Sequence, residues 1–303
     1  DYLPLLDPLP AGVRRLHESA PLAAAGRFDA TPRDDDLDWT ILNLSLLEEA
    51  GELDTDRVAA AWLDRLPFTQ TFTAERAAYR NLIHGIRPTR TAVVDNPYRE
   101  WIGALIRADA FGYVSPGRPG RAVRLALHDA RLSHRGNGIY GEMWAAALVA
   151  GAFTAADARG ALDNALRFVP ATSRLHAALV RTADLFDKDL DWPEAMDVLD
   201  EEYGHYDWVH TINNATHIAA GLLWGGGDFT RTVSLTIQAG ADTDSAGATA
   251  GSVFGALHGA GAVPARLAAP LNDRVRSAIS GFDRIRISEL ADRTLAVARN
   301  VPS

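Results

Sequence analysis

The chain has 303 residues, 47% of them hydrophobic, and a formal net charge of −9. An acidic chain repels the polyanionic backbone of nucleic acids and anionic membrane surfaces, so neither is expected as a partner. It has no cysteine, which excludes disulfides, thiolate nucleophiles and cysteine–zinc sites. No apolar run reaches the length of about 18 residues that spans a bilayer, and no signal-peptide pattern opens the chain, so a cytoplasmic protein is expected.

Residues 1–33 are rich in proline and alanine and read as loop, with one short helix over Val13–Ala20. The first unusual stretch is Asp34-Asp35-Asp36-Leu37-Asp38-Trp39, followed by an apolar helix over Thr40–Ala50 that Gly51 stops. Acids crowded at a helix start repel one another, and the helix dipole relieves only part of that. Two readings stay open for them: a solvated acidic cap, or ligands of a divalent cation. Helices are then expected over Asp54–Leu66, ended by Pro67, and over Ala74–Gly85, Tyr98–Gly112 and Arg121–Leu132.

The second unusual stretch runs Ser133-His134-Arg135-Gly136-Asn137-Gly138-Ile139-Tyr140-Gly141-Glu142-Met143-Trp144 and leads into a helix over Ala145–Gly151. A Gly-Asn-Gly turn before a helix can aim backbone N–H groups at an anion, and it can equally be only a turn. Amphipathic helices follow over Thr154–Phe168, with Thr154 as its cap, and over Thr172–Phe186, Pro193–Tyr203, Trp208–Trp224 and Thr230–Ala239.

The third stretch is Gly240-Ala241-Asp242-Thr243-Asp244-Ser245, opening a helix of small residues in which Gly247, Gly251, Gly255 and Gly259 share one face. Asp242, Asp244 and Ser245 can cap that helix, and they also form a hard-oxygen set suited to Mg²⁺, Mn²⁺ or Ca²⁺. Each interior glycine costs about 1 kcal/mol relative to alanine, so the ladder implies another backbone packed close against it. One or two helices are expected over Ala265–Val297. Alternating β-branched residues are scarce and no repeat is present, so the fold class is all-α, a single domain over residues 1–303. Trp39, Trp144 and Trp224 read as core, with Trp39 or Tyr140 stacking on a base as the alternative. The nine histidines form no His-Glu-x-x-His pair, so a histidine metal site is not expected.

In this order, Asp34-Asp35-Asp36-Leu37, Gly136-Asn137-Gly138 with Met143, and Gly240 to Ser245 resemble the motifs of the ADP-ribosylglycohydrolase family, which includes the dinitrogenase-reductase-activating glycohydrolases. The resemblance covers residues 31–260, and Val209–Ala215 resembles the helix before the last motif. It implies an orthogonal helical bundle with two divalent cations, magnesium or else manganese, held between the acidic turns, and hydrolysis of the bond at ribose C1. Carried over position by position, it makes Asp34, Asp35, Asp36, Asp242, Asp244 and Ser245 metal ligands; the early motif fits in two registers, so all three early acids stay. It places Gly136, Asn137 and Gly138 at the ribose or phosphate portion of the substrate, and Tyr140 joins them as the residue that could stack on a base. In some members a glycine-rich N-terminal helix supplies a glutamate as base or water-positioner; no such stretch stands among the residues before Asp34, and Asp36, Asp38 and Glu142 are the acids expected to serve catalysis. The substrate implied is a small ribosyl or ADP-ribosyl molecule, including an NAD-derived metabolite, or an ADP-ribosylated protein. The alternative is a non-catalytic protein that binds ADP-ribose and metal.

Overall fold

Helices form over most stretches where apolar residues recur at helical spacing, and local caps set many of their ends. The structure, a computed structural model, describes residues 2–9, 11, 15–16, 20–50 and 53–300. Among these, α1 (Ala20–Ala23) is one turn, and most of the helix expected over Val13–Ala20 lies outside the described residues. α2 (Asp35–Ala50) carries the early acids in its own first turn rather than ahead of it. α3 (Thr55–Arg65) starts where Asp54 accepts from the Arg57 N–H at 2.8 Å, and α4 (Thr73–Ile83) follows. The helix expected over Tyr98–Gly112 is instead turns, a 3-10 segment over Ile102–Arg107 and the short α5 (Asp109–Tyr113).

α6 (Pro119–Ala130) begins on a proline, which the first helical turn tolerates because it needs no N–H partner there. α7 (Asn137–Ala152) and α8 (Ala158–Leu166) come next, the latter capped by Asp157 and not by Thr154. α9 (Arg174–Asp187) is capped by Ser173, and α10 (Trp192–Tyr203) by a reciprocal box between Asp191 and Glu194. α11 (Thr211–Trp224), α12 (Phe229–Gln238) and α13 (Thr243–His258) then lead past the one-turn α14 (Ala265–Ala268) to α15 (Ile287–Arg299). Between the last two, β1 (Arg274–Val275) and β2 (Ile285–Arg286) pair antiparallel, so the C-terminal stretch is not simply helical. The fold class is all-α.

α7 is apolar nearly all round and buried almost throughout, as such a helix must be, and α11 is buried throughout although it carries Asn213, Asn214 and His217. One cluster of buried apolar side chains runs from Trp39 of α2 to Val297 of α15. The glycine ladder of α13 is not pressed against a backbone: Gly247 faces the Ile237 and Val233 side chains, and Gly251 faces Phe229 and Val233. The close approach occurs one crossing earlier, where a Cβ at Gly221 or Gly225 would collide with Thr236 and Thr232 of α12. Small residues there let α12 lie tight on α11 and deliver the chain to the second acidic turn.

Candidate active site

Asp34 organises the first turn. Its Oδ1 accepts from the Asp36 N–H at 2.9 Å and its carbonyl from the Asp38 N–H at 3.1 Å, so the backbone itself folds the acids together. One carboxylate oxygen each of Asp34, Asp35 and Asp36 lies within 4.8 Å of the others. Asp36 is 6% exposed, and its Oδ1 is buried without a hydrogen-bond partner.

The second turn bends through Gly240 and Ala241, both at positive φ (83° and 59°). The Asp242 N–H donates to Asn214 Oδ1 of α11 at 3.0 Å. Asp242 occupies the cap position of α13 without capping it through its side chain, so capping does not explain its carboxylate. The turns meet where Ser245 Oγ reaches Asp36 Oδ2 at 3.5 Å, across 209 residues of sequence.

Electrostatics tie them further. Burial, then the charge of Asp34, pushes the Asp35 carboxyl up to about 7. Burial, then the hydrogen bond and charge of Asp244, pushes Asp242 up to about 8, with Asp35 adding to it. Asp36 is raised by burial first, then by Asp34, Asp35 and Asp244. Carboxylates that resist ionising together, one with an orphaned buried oxygen, form a hard-oxygen donor set that fits a divalent cation. Asp34, Asp35 and Asp36 thus form one tight group, and the segment with Asp242, Asp244 and Ser245 adjoins it through the Ser245–Asp36 contact.

Other expected residues stand elsewhere. Asp38 is held by Arg33 Nε at 2.7 Å, Ser277 Oγ at 2.7 Å and the Ala278 N–H at 2.9 Å, which leaves its carboxylate no freedom to act on a substrate. Glu142 is wholly buried in the core beside Arg107. The Gly136-Asn137-Gly138 turn does aim an N–H at an anion, but the anion is the protein's own Glu100. Its Oε1 accepts from the Asn137 N–H at 3.0 Å and from Nδ2 at 2.9 Å. The Gly138 N–H goes to the Arg135 carbonyl at 3.1 Å, and Tyr140 packs half-buried against the core. Burial opposes ionisation of Glu100, yet hydrogen bonds from His210, Asn137 and Arg174 hold its carboxyl well below the usual range. Trp39 and Trp144 are core residues, and Trp39 rests on Trp62 with ring centroids 4.8 Å apart.

A family profile described as ADP-ribosylglycohydrolase matches residues 6–302. The chain belongs to the ADP-ribosylglycohydrolase family. A solved structure titled "ADP-ribosylglycohydrolase-related protein complex" shares its fold, with a TM-score of 0.59 and 19% identity, covering 91% of this chain and 84% of that one. No curated protein matches it. Family membership makes the protein a hydrolase of the ADP-ribosylglycohydrolase type.

Behind the acidic turns of this family member lies a network that the sequence does not announce. Arg107, wholly buried, reaches Glu75 and Asp129 at 2.6 Å and Glu142 at 3.6 Å, and its guanidinium lies 5.0 Å from the Trp39 ring and 5.2 Å from that of Trp62. Burial alone would lower its pKa, but the three carboxylates raise it, so it stays charged. Burial, then the Asp129 charge, drives the Glu142 carboxyl far above its ordinary range, and both of its oxygens are buried without a hydrogen-bond partner. Asn43 Nδ2 of α2 donates to the Arg107 carbonyl at 3.1 Å, so this network fixes the helix that carries Asp35 and Asp36. Asn214 is the other residue sequence reasoning missed; its only signal was membership of the Val209–Ala215 segment. A hollow of about 390 Å³ opens between α2 and α3 beside Leu46, Leu53 and Arg57. It lies at the far end of α2, roughly 20 Å from the acids, and lacks their chemistry.

Proposed function

We propose that this protein is a metal-dependent hydrolase that cleaves the bond at ribose C1 of an ADP-ribosyl or ribosyl substrate, a small molecule or an ADP-ribosylated protein. The observation that carries the reading is the contact of Ser245 with Asp36, which joins two acidic segments around a buried carboxylate oxygen that has no partner. Asp34, Asp35, Asp36, Asp242, Asp244 and Ser245 are the residues that would hold two Mg²⁺ ions, or Mn²⁺ in their place. When bound, such ions fix ribose hydroxyls and lower the pKa of bound water.

The chain's own groups do the rest. The paired acidic turns set a negative field where positive charge develops on an oxocarbenium-like ribose. Of the three acids considered for catalysis, Asp36 alone stands in the cluster, and its unpartnered oxygen is the one placed to take a proton or a cation. The net charge of −9 disfavours a nucleic-acid substrate. No helix among the described residues is long and apolar enough to cross a membrane.

Substituting Asp242→Asn or Asp244→Asn should lower hydrolysis of an ADP-ribosyl substrate by about 100-fold or more, while the helical circular-dichroism signal persists. Full activity in either variant would overturn the reading. The fixed positions of Asp38 and Glu142 favour one second reading, a protein that binds ADP-ribose without cleaving it. Saturable ADP-ribose binding by calorimetry with no turnover of any ribosylated substrate would establish that instead.

A further inference from the structure

The net charge of −9 hides a local reversal. From Arg76 to Arg135, eleven arginines stand against four acids, Asp95, Glu100, Asp109 and Asp129. Three of the acids are engaged inside the protein, Glu100 by Arg174, Asp109 by Ser252 and Asp129 by Arg107, which leaves Asp95 exposed. The fold gathers much of the positive charge on one strap, residues 84–99, which is built of turns and follows α4. Asn81 Nδ2 of α4 donates to the Thr91 carbonyl at 2.8 Å, and Asn96 Nδ2 donates to the Ser133 carbonyl at 2.9 Å. Arg135 ties the other side: its Nη2 donates to the Thr89 carbonyl at 2.8 Å and its N–H to the Arg99 carbonyl at 2.9 Å. These bonds set Arg87, Arg90 and Arg99 of the strap beside Arg131 and Arg135 at the end of α6. Burial, then the charge of Arg131, lowers the pKa of Arg135, so neighbours in the group repel. Among the described residues none of the five pairs with a carboxylate, whereas Arg65, Arg159, Arg181 and Arg293 elsewhere on the surface all do.

Apolar side chains stand in the same region. Ile83, where α4 gives way to the strap, is 60% exposed, and Val93, one turn from Arg90, is 42% exposed. Arginine is enriched at protein interfaces, and apolar groups rimmed by polar ones mark them. A nucleic acid would ask for free aromatic faces on which to stack its bases. Tyr98 of the strap is instead half-buried against Trp101, with ring centroids 4.6 Å apart. A bilayer surface would ask for a helix with a broad apolar face, and the strap is turns.

We propose that the 84–99 strap and the end of α6 form a docking surface for an acidic protein segment, whose carboxylates meet the five arginines and whose apolar side chains cover Ile83 and Val93. The guanidinium fork matches a carboxylate with two parallel N–H donors, so aspartate and glutamate are the groups it selects. The surface is separate from the acidic turns and does not depend on what they hydrolyse.

The test titrates the full chain into a short labelled peptide of glutamate and leucine, read by fluorescence anisotropy and calorimetry. Saturable binding is expected, weaker as salt rises, and none to the same peptide with glutamine in place of glutamate. Among the described residues the Arg87, Arg90 and Arg131 side chains make no hydrogen bond or ion pair, so replacing them should leave the fold intact. The triple variant Arg87→Gln, Arg90→Gln, Arg131→Gln should bind the peptide at least about tenfold more weakly. Ile83→Ser should weaken binding about fivefold, and Arg231→Gln on α12 should leave it unchanged. No binding, binding that survives the triple substitution, or equal binding of the glutamine peptide would overturn the proposal. A single-stranded RNA or phosphatidylserine vesicles bound more tightly than the peptide, and lost in the triple variant, would overturn it too, in favour of that other partner.

Discussion

The two acidic turns are built to the same end by different means. The first is braced by the far end of the chain. The Thr31 N–H donates to the Arg274 carbonyl at 2.7 Å, Asp38 is held by Ser277 and Ala278, and Arg293 of α15 pairs with Glu48 of α2 at 2.6 Å. The second turn is held differently: the Asp242 N–H donates to Asn214 of α11, Ser245 Oγ reaches Asp36, and α12 is seated tightly on α11. A cluster of like charges that spans two segments must be held from both sides. Here one side is anchored by polar contacts and the other by packing.

Removing the polar anchor should have the largest effect. Asp38 is buried and ion-paired, so Asp38→Ala strands partners and should cost about 3–5 kcal/mol in urea unfolding. A loss below 1 kcal/mol would mean that the C-terminal hairpin does not hold the first turn. Attacking the packing side should cost less. Gly221→Ala forces α11 and α12 apart and should destabilise by about 1–3 kcal/mol. Gly255→Ala, where a Cβ meets nothing within 4 Å, should be neutral or stabilising by up to about 1 kcal/mol. If the two glycine variants melt alike, the crossing is not the tight contact described.

A further effect concerns pH and should come from both turns together. Asp35 and Asp242 are pushed up to about 7 and about 8. Between about pH 4 and pH 8 the folded protein therefore keeps protons that the unfolded chain has released. Stability of the EDTA-treated protein should fall as pH rises through that window, and added Mg²⁺ should flatten the trend. A melting temperature that rises with pH there would contradict the mutual repulsion of the turns.

The acids were readable from the sequence because carboxylates crowded at helix starts are unfavourable unless something offsets them. The all-α class was readable because helical spacing recurs along the chain. What could not be read were partners distant in sequence. Asp38 looked like one more acid of the cluster until Ser277, 239 residues on, was seen to occupy it. The Gly-Asn-Gly turn can greet an anion, but nothing local shows that Glu100, 37 residues earlier, already fills the place. The glycines of α13 advertise a close packing that belongs to Gly221 and Gly225, which show the same four-residue spacing but only once. Glu142 sits on a helix with almost no polar face, and only its burial beside Arg107 removes it from the catalytic set.

The most direct measurement is calorimetric titration of Mg²⁺ into the wild-type protein and into Asp36→Asn and Asp242→Asn, one substitution in each turn. If both turns grip the same ions, each substitution should weaken binding at least about tenfold. Wild-type affinity in either variant, with the other impaired, would show that the two turns do not form one site.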